Sequence, residues 1–154
     1  MTKPSVVHAT FTIERSYDAA PARVFAAWAN PAAKARWFAG PEDWDALGHE
    51  LDFRIGGRER AGGGPPGGTR HRYEALYQDI VADRRIVTTY EMYMDEVRTS
   101  VSVATIEFMA NAGGTRLVYT EQGAFLDGHD HPAAREQGTR GLLDALGAEL
   151  DAAA

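Results

Sequence analysis

The feature that most constrains the fold is a long amphipathic stretch near the C-terminal end, residues 130–150, which follows a run of alternating segments. Its apolar side chains recur at helical spacing and Pro132 stands at its start, so it predicts one long helix. The segments before it alternate apolar and polar side chains, which is typical of strands with one buried face. A long helix laid across a curved antiparallel sheet can enclose a cavity. The pattern therefore indicates how the chain binds rather than what it binds.

Length and composition narrow the class of protein. A chain of 154 residues is expected to form one domain, residues 1–154, and can bury about 68–70% of its unfolded surface. It has no cysteine, which excludes disulfides, thiolate metal sites and a cysteine nucleophile. No segment resembles a signal peptide or a membrane span, so we expect a cytoplasmic protein with no membrane partner. A net charge of −6 without clustered Lys and Arg argues against a nucleic acid partner.

Periodicity and turn residues predict the order of the elements. The predicted strands span residues 8–17, 47–55, 70–81, 85–94, 98–110 and 115–125, with hairpin turns at 82–83, 95–96 and 111–114. One short helix begins near Pro21 with Asp18 as a candidate cap, and a second begins at Asn30-Pro31 and ends near Trp37. Residues 58–68 hold five glycines and two prolines and are predicted to form a mobile hairpin loop. Strands followed by a helix predict an α+β fold with an antiparallel sheet.

Short motifs along the chain resemble those of one family. They are residues 15–21 (Arg-Ser-Tyr-Asp-Ala-Ala-Pro), Val24-Phe25, Trp28, Asn30-Pro31, Trp37-Phe38, residues 52–57 (Asp-Phe-Arg-Ile-Gly-Gly), residues 81–87 (Val-Ala-Asp-Arg-Arg-Ile-Val) and residues 138–146 (Gly-Thr-Arg-Gly-Leu-Leu-Asp-Ala-Leu). Their order and spacing are similar to those of the activator of heat-shock protein 90 ATPase-like family. That family belongs to the START-like (SRPBCC, Bet v 1-like, polyketide cyclase-related) superfamily. The resemblance spans nearly the whole chain and implies a helix-grip fold with a cavity between the long helix and the sheet.

Two positions depart from the pattern of that family. Ala82 stands where the family often has proline, and Thr139 follows the helix glycine where the family often has tryptophan. Because threonine removes a large ring from the helix face, we expect a larger pocket in this chain. Residues 121–128 look typical of one bacterial subgroup, for which the resemblance implies no activity.

Strand parity predicts most of the side chains that line the cavity. The predicted ligand-binding residues are Trp37, Phe53, Tyr73, Tyr77, Tyr90, Met92, Ser102, Tyr119, Glu121, Thr139 and Leu142. Tyrosine rings and methionine suit a flat or hydrophobic ligand, because they offer contact area and a few oriented hydrogen bonds. The small side chains Ser102, Ala104 and Thr139 are expected to leave space rather than fill it. The alternative is an ordinary packed core with tyrosine hydroxyls at its rim.

Glu121 is the candidate catalytic residue. It lies in an alternating strand on the predicted inner side, where a carboxylate loses its hydration and needs a partner. In the functional interpretation it binds the ligand or acts as a general acid or base. The alternatives are an internal salt bridge with Arg135 or a strand end that reaches solvent. Glu107 is expected beside Arg116 on the outer face, as a surface pair of little energetic importance.

The sequence gives little indication of a metal site or a cofactor site. Four residues of metal-ligating type cluster before the last helix: Asp127, His129, Asp130 and His131. Neighbouring loop side chains point in divergent directions, so no metal site is expected, and Asp130 is expected to cap the helix instead. Three further histidines are isolated and are expected to be satisfied or exposed: His8, His49 and His71. The glycine-rich segment lacks the ending of a phosphate-binding loop, no Ser-His-Asp order is present, and no cofactor is expected.

The sequence therefore predicts a START-like domain that binds a small hydrophobic or aromatic ligand in its cavity. If it catalyses a reaction, we expect cyclase- or dehydratase-type acid–base chemistry from Glu121 and a tyrosine. The competing expectation is a protein-interaction module that stimulates a chaperone ATPase, as the family resemblance implies. The same resemblance implies an additional N-terminal domain in the co-chaperone proper, and none fits in these residues. Ligand identity, catalysis and a homodimer are left open.

Overall fold

The computed structural model describes residues 3–153 and begins with one strand and two short helices, which six strands and a long helix follow. The elements are β1 (Val6–Tyr17), α1 (Pro21–Ala29), α2 (Pro31–Trp37), β2 (Asp45–Leu51), β3 (Arg58–Gly64), β4 (His71–Val81), β5 (Arg85–Met94), β6 (Val97–Asn111), β7 (Gly114–Leu126) and α3 (Pro132–Ala152). All neighbouring strands pair antiparallel in one curved sheet, in the order β1-β7-β6-β5-β4-β3-β2. The predicted α+β helix-grip fold is confirmed.

The last helix crosses the inner face of the sheet and closes the core. Leu143, Leu146 and Leu150 are buried on the side of α3 that faces the sheet. The hydroxyl of Tyr17 on β1 donates to the Leu143 carbonyl oxygen at 2.7 Å and ties helix to strand. Apolar burial on this scale is the main stabilising contribution, at about 25 cal/mol per Å² of buried apolar surface. Among residues 3–153, no helix combines the length and apolar composition that spanning a bilayer requires.

The two short helices are fixed by proline starts and tryptophan packing. Helix α2 begins at Asn30-Pro31 as predicted, and Asn30 caps it, because its side chain accepts a hydrogen bond from the Ala33 amide at 3.0 Å. The predicted Asp18 cap of α1 is wrong, since the capping position is Ala20 and no side chain caps that helix. A proline in the first turn removes one of the N–H groups that a cap would otherwise have to satisfy.

The hairpins have the turn residues that the sequence indicated. Left-handed backbone angles occur at Asp83, Asp95 and Ala112, one in each predicted turn, with φ between 50° and 62°. Glu107 is exposed on the outer face as predicted, but Arg116 forms its ion pair with Glu14 of the neighbouring strand β1, at 2.7 Å, and not with Glu107. Both side chains of that pair are exposed, so the exchange of partners has little effect on stability.

The region of β2 and β3 departs most from prediction. The strand predicted over residues 47–55 ends at Leu51, and a bulge at Gly48 (φ +90°) interrupts its alternation. Leu47 and Ile55 are consequently 54% and 59% exposed rather than on the inner face. The residues predicted as a mobile loop, 58–68, instead form strand β3 up to Gly64, which pairs with β2 and β4 on its two sides.

We expect amide hydrogen exchange to separate strand β3 from its turn. Residues 59–63 should exchange at least about a hundredfold more slowly than Gly67 and Thr69, because only the strand is paired on both sides. Amide exchange followed by NMR gives these rates residue by residue. Uniformly fast exchange over residues 58–68 would instead support the mobile loop.

Candidate ligand-binding cavity

A cavity of about 960 Å³ lies between α3 and the inner face of the sheet. Helix α2 and the loop of residues 38–44 form its other side. Most of the predicted ligand-binding residues line it: Trp37, Tyr73, Tyr77, Tyr90, Met92, Tyr119, Thr139 and Leu142. The alternation of strands β4, β5 and β7 brings the four tyrosines to one face, as parity predicts.

Three predicted site residues do not reach the cavity wall. Phe53 packs in the core, with its ring centroid 5.6 Å from Phe25 and 5.0 Å from Tyr77. Ser102 is buried, and its hydroxyl has no hydrogen-bond partner within residues 3–153. Glu121 is 1% exposed and lies behind two tyrosines that do line the cavity.

Small side chains on α3 and β6 border the open volume. Thr139 and Gly138 line the cavity from the helix, and Ala104 lines it from the strand. The hydroxyl of Thr139 donates to the Arg135 carbonyl oxygen at 2.9 Å within its own helix. Thr139 therefore leaves space for a ligand but has no free donor to offer it.

Glu121 is the centre of a buried polar network. It accepts hydrogen bonds at 2.8 Å from the hydroxyls of Tyr90 and Tyr119, and Arg135 Nη1 lies 3.5 Å from its Oε2. The internal salt bridge with Arg135, one of the sequence alternatives, is thus present. Burial, reinforced by Glu121, raises the pKa of the Tyr90 hydroxyl, which therefore stays protonated and donates.

Arg135 links this network to the N-terminal end of helix α3. Its guanidinium donates to the Tyr90 hydroxyl at 3.0 Å, to the Ser100 hydroxyl at 2.8 Å and to Asp130 Oδ2 at 2.9 Å. The predicted helix cap at Asp130 is wrong, since His131 occupies the capping position and no side chain caps the helix. Asp130 instead holds the arginine that pairs with the buried carboxylate.

A second buried network was not predicted from the sequence. It joins side chains of α2, β2, β3 and β4 toward the β2 edge of the sheet, whereas Glu121 lies on β7 near the other edge. Lys34 Nζ lies 2.6 Å from Glu59 Oε1 and 3.3 Å from the Tyr77 hydroxyl. Tyr77 donates to the same carboxylate oxygen at 2.6 Å, and His49 Nε2 lies 2.7 Å from Glu59 Oε2. Lys34, His49 and Tyr77 line the cavity, while Glu59 is fully buried behind them.

Charge and burial are balanced closely in this second network. Burial would raise the pKa of the Glu59 carboxyl, but Lys34, His49 and Tyr77 together lower it to about 2. Burial lowers the pKa of the Lys34 ammonium, and the attraction of Glu59 only partly opposes this. The ammonium also lies 4.4 Å from the centre of the Phe38 ring, a cation–π distance.

Tyr73 carries a polar group in the cavity wall that has no hydrogen-bond partner among residues 3–153. It lines the cavity between the two networks, and its ring centroid is 4.9 Å from that of Tyr90 and 5.0 Å from that of Phe38. Its hydroxyl makes no hydrogen bond to any other residue in 3–153. Burial, with Glu59 nearby, raises its pKa well above the usual range, so it is a neutral donor and acceptor.

The residues of metal-ligating type do not assemble. Within the described part of the chain, no three His, Cys, Asp or Glu side chains are grouped as a metal ion would require. Of the isolated histidines, His49 is satisfied by Glu59, and the ring of His71 stacks on Trp44 at 4.8 Å.

Comparison with known proteins agrees with this architecture. Residues 18–151 match the family described as activator of Hsp90 ATPase homolog 1-like protein. An uncharacterized protein from Rhizobium leguminosarum is 48% identical, with a TM-score of 0.92 over 97% of this chain and 99% of that one. A protein from Rhizobium loti is 49% identical, with a TM-score of 0.87 over 94% and 99%. A protein from Chromobacterium violaceum is 26% identical, with a TM-score of 0.74 over 92% and 96%. No functionally curated protein matches the chain.

Proposed function

Since the chain belongs to the activator of Hsp90 ATPase homolog 1-like family, of START-like fold, we propose that it binds a small hydrophobic or aromatic molecule between α3 and the sheet. The cavity of about 960 Å³ carries this proposal, because pockets that hold small organic ligands occupy roughly 300–1,000 Å³. A packed core of the same composition would leave no such volume, since protein interiors are filled to crystal-like density.

The lining restricts the chemistry of the ligand. Each of the two fully buried carboxylates already has a cationic partner, Glu59 in Lys34 and Glu121 in Arg135, so neither of them requires a cationic ligand. The tyrosine rings between them favour a flat aromatic body. The free hydroxyl of Tyr73 favours one neutral polar substituent on that body.

A panel titration tests the proposal. Flat aromatic compounds such as naphthol, its methyl ether and naphthylmethanol should raise the melting temperature and saturate with one site per chain. Calorimetric titration supplies the stoichiometry and affinity. If no member of such a panel bound above nonspecific levels, ligand binding in the cavity would be rejected.

Tyr73→Phe is expected to change ligand preference without changing the fold. Since the hydroxyl has no partner within residues 3–153, its removal should alter the free energy of unfolding by less than about 1 kcal/mol. Naphthol should bind about threefold to tenfold more weakly, while its methyl ether should be affected less. Calorimetric titration of both compounds on both proteins measures the difference. Unchanged affinity for both compounds would mean that the hydroxyl bonds neither ligand and that Tyr73 contributes only contact area.

Acid–base chemistry, if the protein performs any, would pass through a tyrosine. Glu121 reaches the cavity by way of the hydroxyls of Tyr90 and Tyr119 and the guanidinium of Arg135, and of these the hydroxyls can relay a proton between Glu121 and a ligand. This is the arrangement that cyclase- or dehydratase-type catalysis with Glu121 would use. Glu121→Gln should then abolish turnover of a substrate that it still binds, and unchanged turnover would exclude the role.

The description of the family favours one second candidate, stimulation of a chaperone ATPase. In that case the chain would act through its surface, and cavity ligands would not affect it. Pull-down with the purified bacterial chaperone, followed by an ATPase assay, distinguishes the two functions. If wild type and the cavity-filling variant Thr139→Trp both bound the chaperone and stimulated its ATPase equally, the co-chaperone function would be favoured.

A further inference from the structure

Lys34 is one of only two lysines in the chain, and its side chain is buried beside the cavity. Of the 16 Lys and Arg residues in the chain, only Lys3 and Lys34 are lysines, and Lys3 is exposed. Lys34 is 2% exposed and lines the proposed ligand cavity from α2. A guanidinium could pair with Glu59 equally well, but only an amine can lose its proton and become a nucleophile.

We propose that Lys34 forms an imine with an aldehyde or ketone bound in the cavity, which makes the ligand class a hydrophobic carbonyl compound. This inference rests on the proposed function, because the carbonyl compound must first occupy the cavity. The geometry supports it through three side chains: the Lys34 amine, the Glu59 carboxylate at 2.6 Å and the Tyr77 hydroxyl at 3.3 Å.

The step balances within this group of residues. The ammonium of Lys34 gives a proton to Glu59 Oε1, and the nitrogen lone pair adds to the carbonyl carbon. A proton shift gives a neutral carbinolamine, whose hydroxyl takes the proton back from Glu59 and leaves as water. The net change is ammonium plus carbonyl to iminium plus water, and Glu59 is a carboxylate before and after.

Conservation of charge explains why a glutamate suits this position. The iminium is a cation like the ammonium that it replaces, so the buried carboxylate keeps a partner throughout. Tyr77 donates to the same carboxylate oxygen at 2.6 Å and so fixes its orientation toward the amine. Burial lowers the pKa of Lys34, which increases the fraction of free amine.

The remaining groups around the amine do not compete with this reaction. His49 contacts the other carboxylate oxygen at 2.7 Å and leaves Oε1 to the amine and Tyr77. The rings of Phe38 and Trp28 lie 4.4 and 5.3 Å from the amine and limit the water around it. The amine of Lys34 can therefore react with a ligand that approaches from the cavity.

Reductive trapping tests the proposal with a matched pair of probes. Wild-type protein is incubated with naphthaldehyde and sodium cyanoborohydride, and binding of naphthylmethanol is measured in parallel. We expect one adduct per chain by intact mass, with peptide mapping that assigns it to Lys34. Its rate should exceed that at Lys3 by at least about tenfold, although Lys3 is exposed and Lys34 is buried. An excess of naphthylmethanol should slow the reaction at Lys34 and leave Lys3 unaffected.

Two variants complete the test. Lys34→Arg keeps the positive charge beside Glu59 and should form no adduct with naphthaldehyde, while Lys3→Arg should react as wild type does. If Lys34→Arg fails to fold, the peptide map of wild type decides alone.

The outcomes separate this inference from the proposed function. If naphthylmethanol binds but adducts appear only at Lys3 or the terminal amine, the imine is refuted and ligand binding stands. If neither probe binds, the proposed function fails for this ligand class, and the imine proposal fails with it.

Discussion

Lys34→Met is expected to lower the free energy of unfolding by about 3–5 kcal/mol, because it leaves a fully buried carboxylate without its cation. The ammonium and the Glu59 carboxylate lie 2.6 Å apart, and the side chains are 3% and 0% exposed. Tyr77 would remain as a hydrogen-bond donor, but a neutral hydroxyl cannot replace a full charge. Chemical denaturation gives the free energy, and the melting temperature should fall by about 10 °C.

The double variant Lys34→Met with Glu59→Gln is the matched control. It removes both charges and keeps an amide oxygen that can accept from Tyr77, so stability should return to within about 1–2 kcal/mol of wild type. If the single and double variants were equally unstable, packing of the lysine stem rather than the ion pair would be the important contribution.

Acid should weaken the same pair. The folded-state pKa of Glu59, about 2, is below its ordinary value of 4.5, so its contribution is fully present above about pH 4.5. That contribution is lost as the pH falls toward 2, where the folded state also binds the proton. Denaturation of wild type and the double variant across this window should show a steeper loss of stability in wild type. Parallel curves would indicate that Glu59 is not held ionised in the fold.

Thr139→Trp is expected to block the cavity and to lower the affinity for every cavity ligand by about tenfold to a hundredfold or more. Thr139 lines the cavity, and its replacement would place an indole where the ligand has to bind. Forcing two groups into one volume costs about 1–3 kcal/mol in proteins, which gives the stated loss of affinity. Stability should stay level or rise, since the added ring fills open volume. Calorimetric titration with naphthol and its methyl ether measures both affinities.

Gln137→Trp controls for the added ring. Gln137 lies two residues earlier on the same helix and is exposed, outside the cavity lining. An indole there should leave the affinity for both compounds unchanged. Unchanged affinity in Thr139→Trp as well would show that this residue does not border the binding site.

The parts of the fold that were predicted correctly are those whose side chains show a period. The strands before α3 alternate, and α3 repeats at helical spacing, so parity alone brought Tyr73, Tyr77, Tyr90 and Tyr119 to one face. The resemblance to a family added the helix-grip arrangement, which no local pattern contains.

Strand β3 was missed because glycines carry no side-chain alternation. Its glycines instead allow neighbouring backbones to approach closely. A Cβ at Gly62 would lie 2.5 Å from the His71 carbonyl oxygen, and a Cβ at Gly64 would lie 2.1 Å from the Thr69 carbonyl oxygen. Once this segment was assigned to a loop, the parity that turns Glu59 inward was lost. Lys34 was not among the predicted site residues, although its position three residues before the buried Trp37 puts both on one helix face.

The position of a bound ligand is the most direct test of cavity binding. A crystal structure of wild-type protein grown with naphthol should show the ring system between α3 and the sheet, against Tyr73, Tyr90 and Thr139, with the naphthol hydroxyl bonded to that of Tyr73. A structure in which naphthol lies on the outer surface while only water fills the space beneath α3 would contradict it.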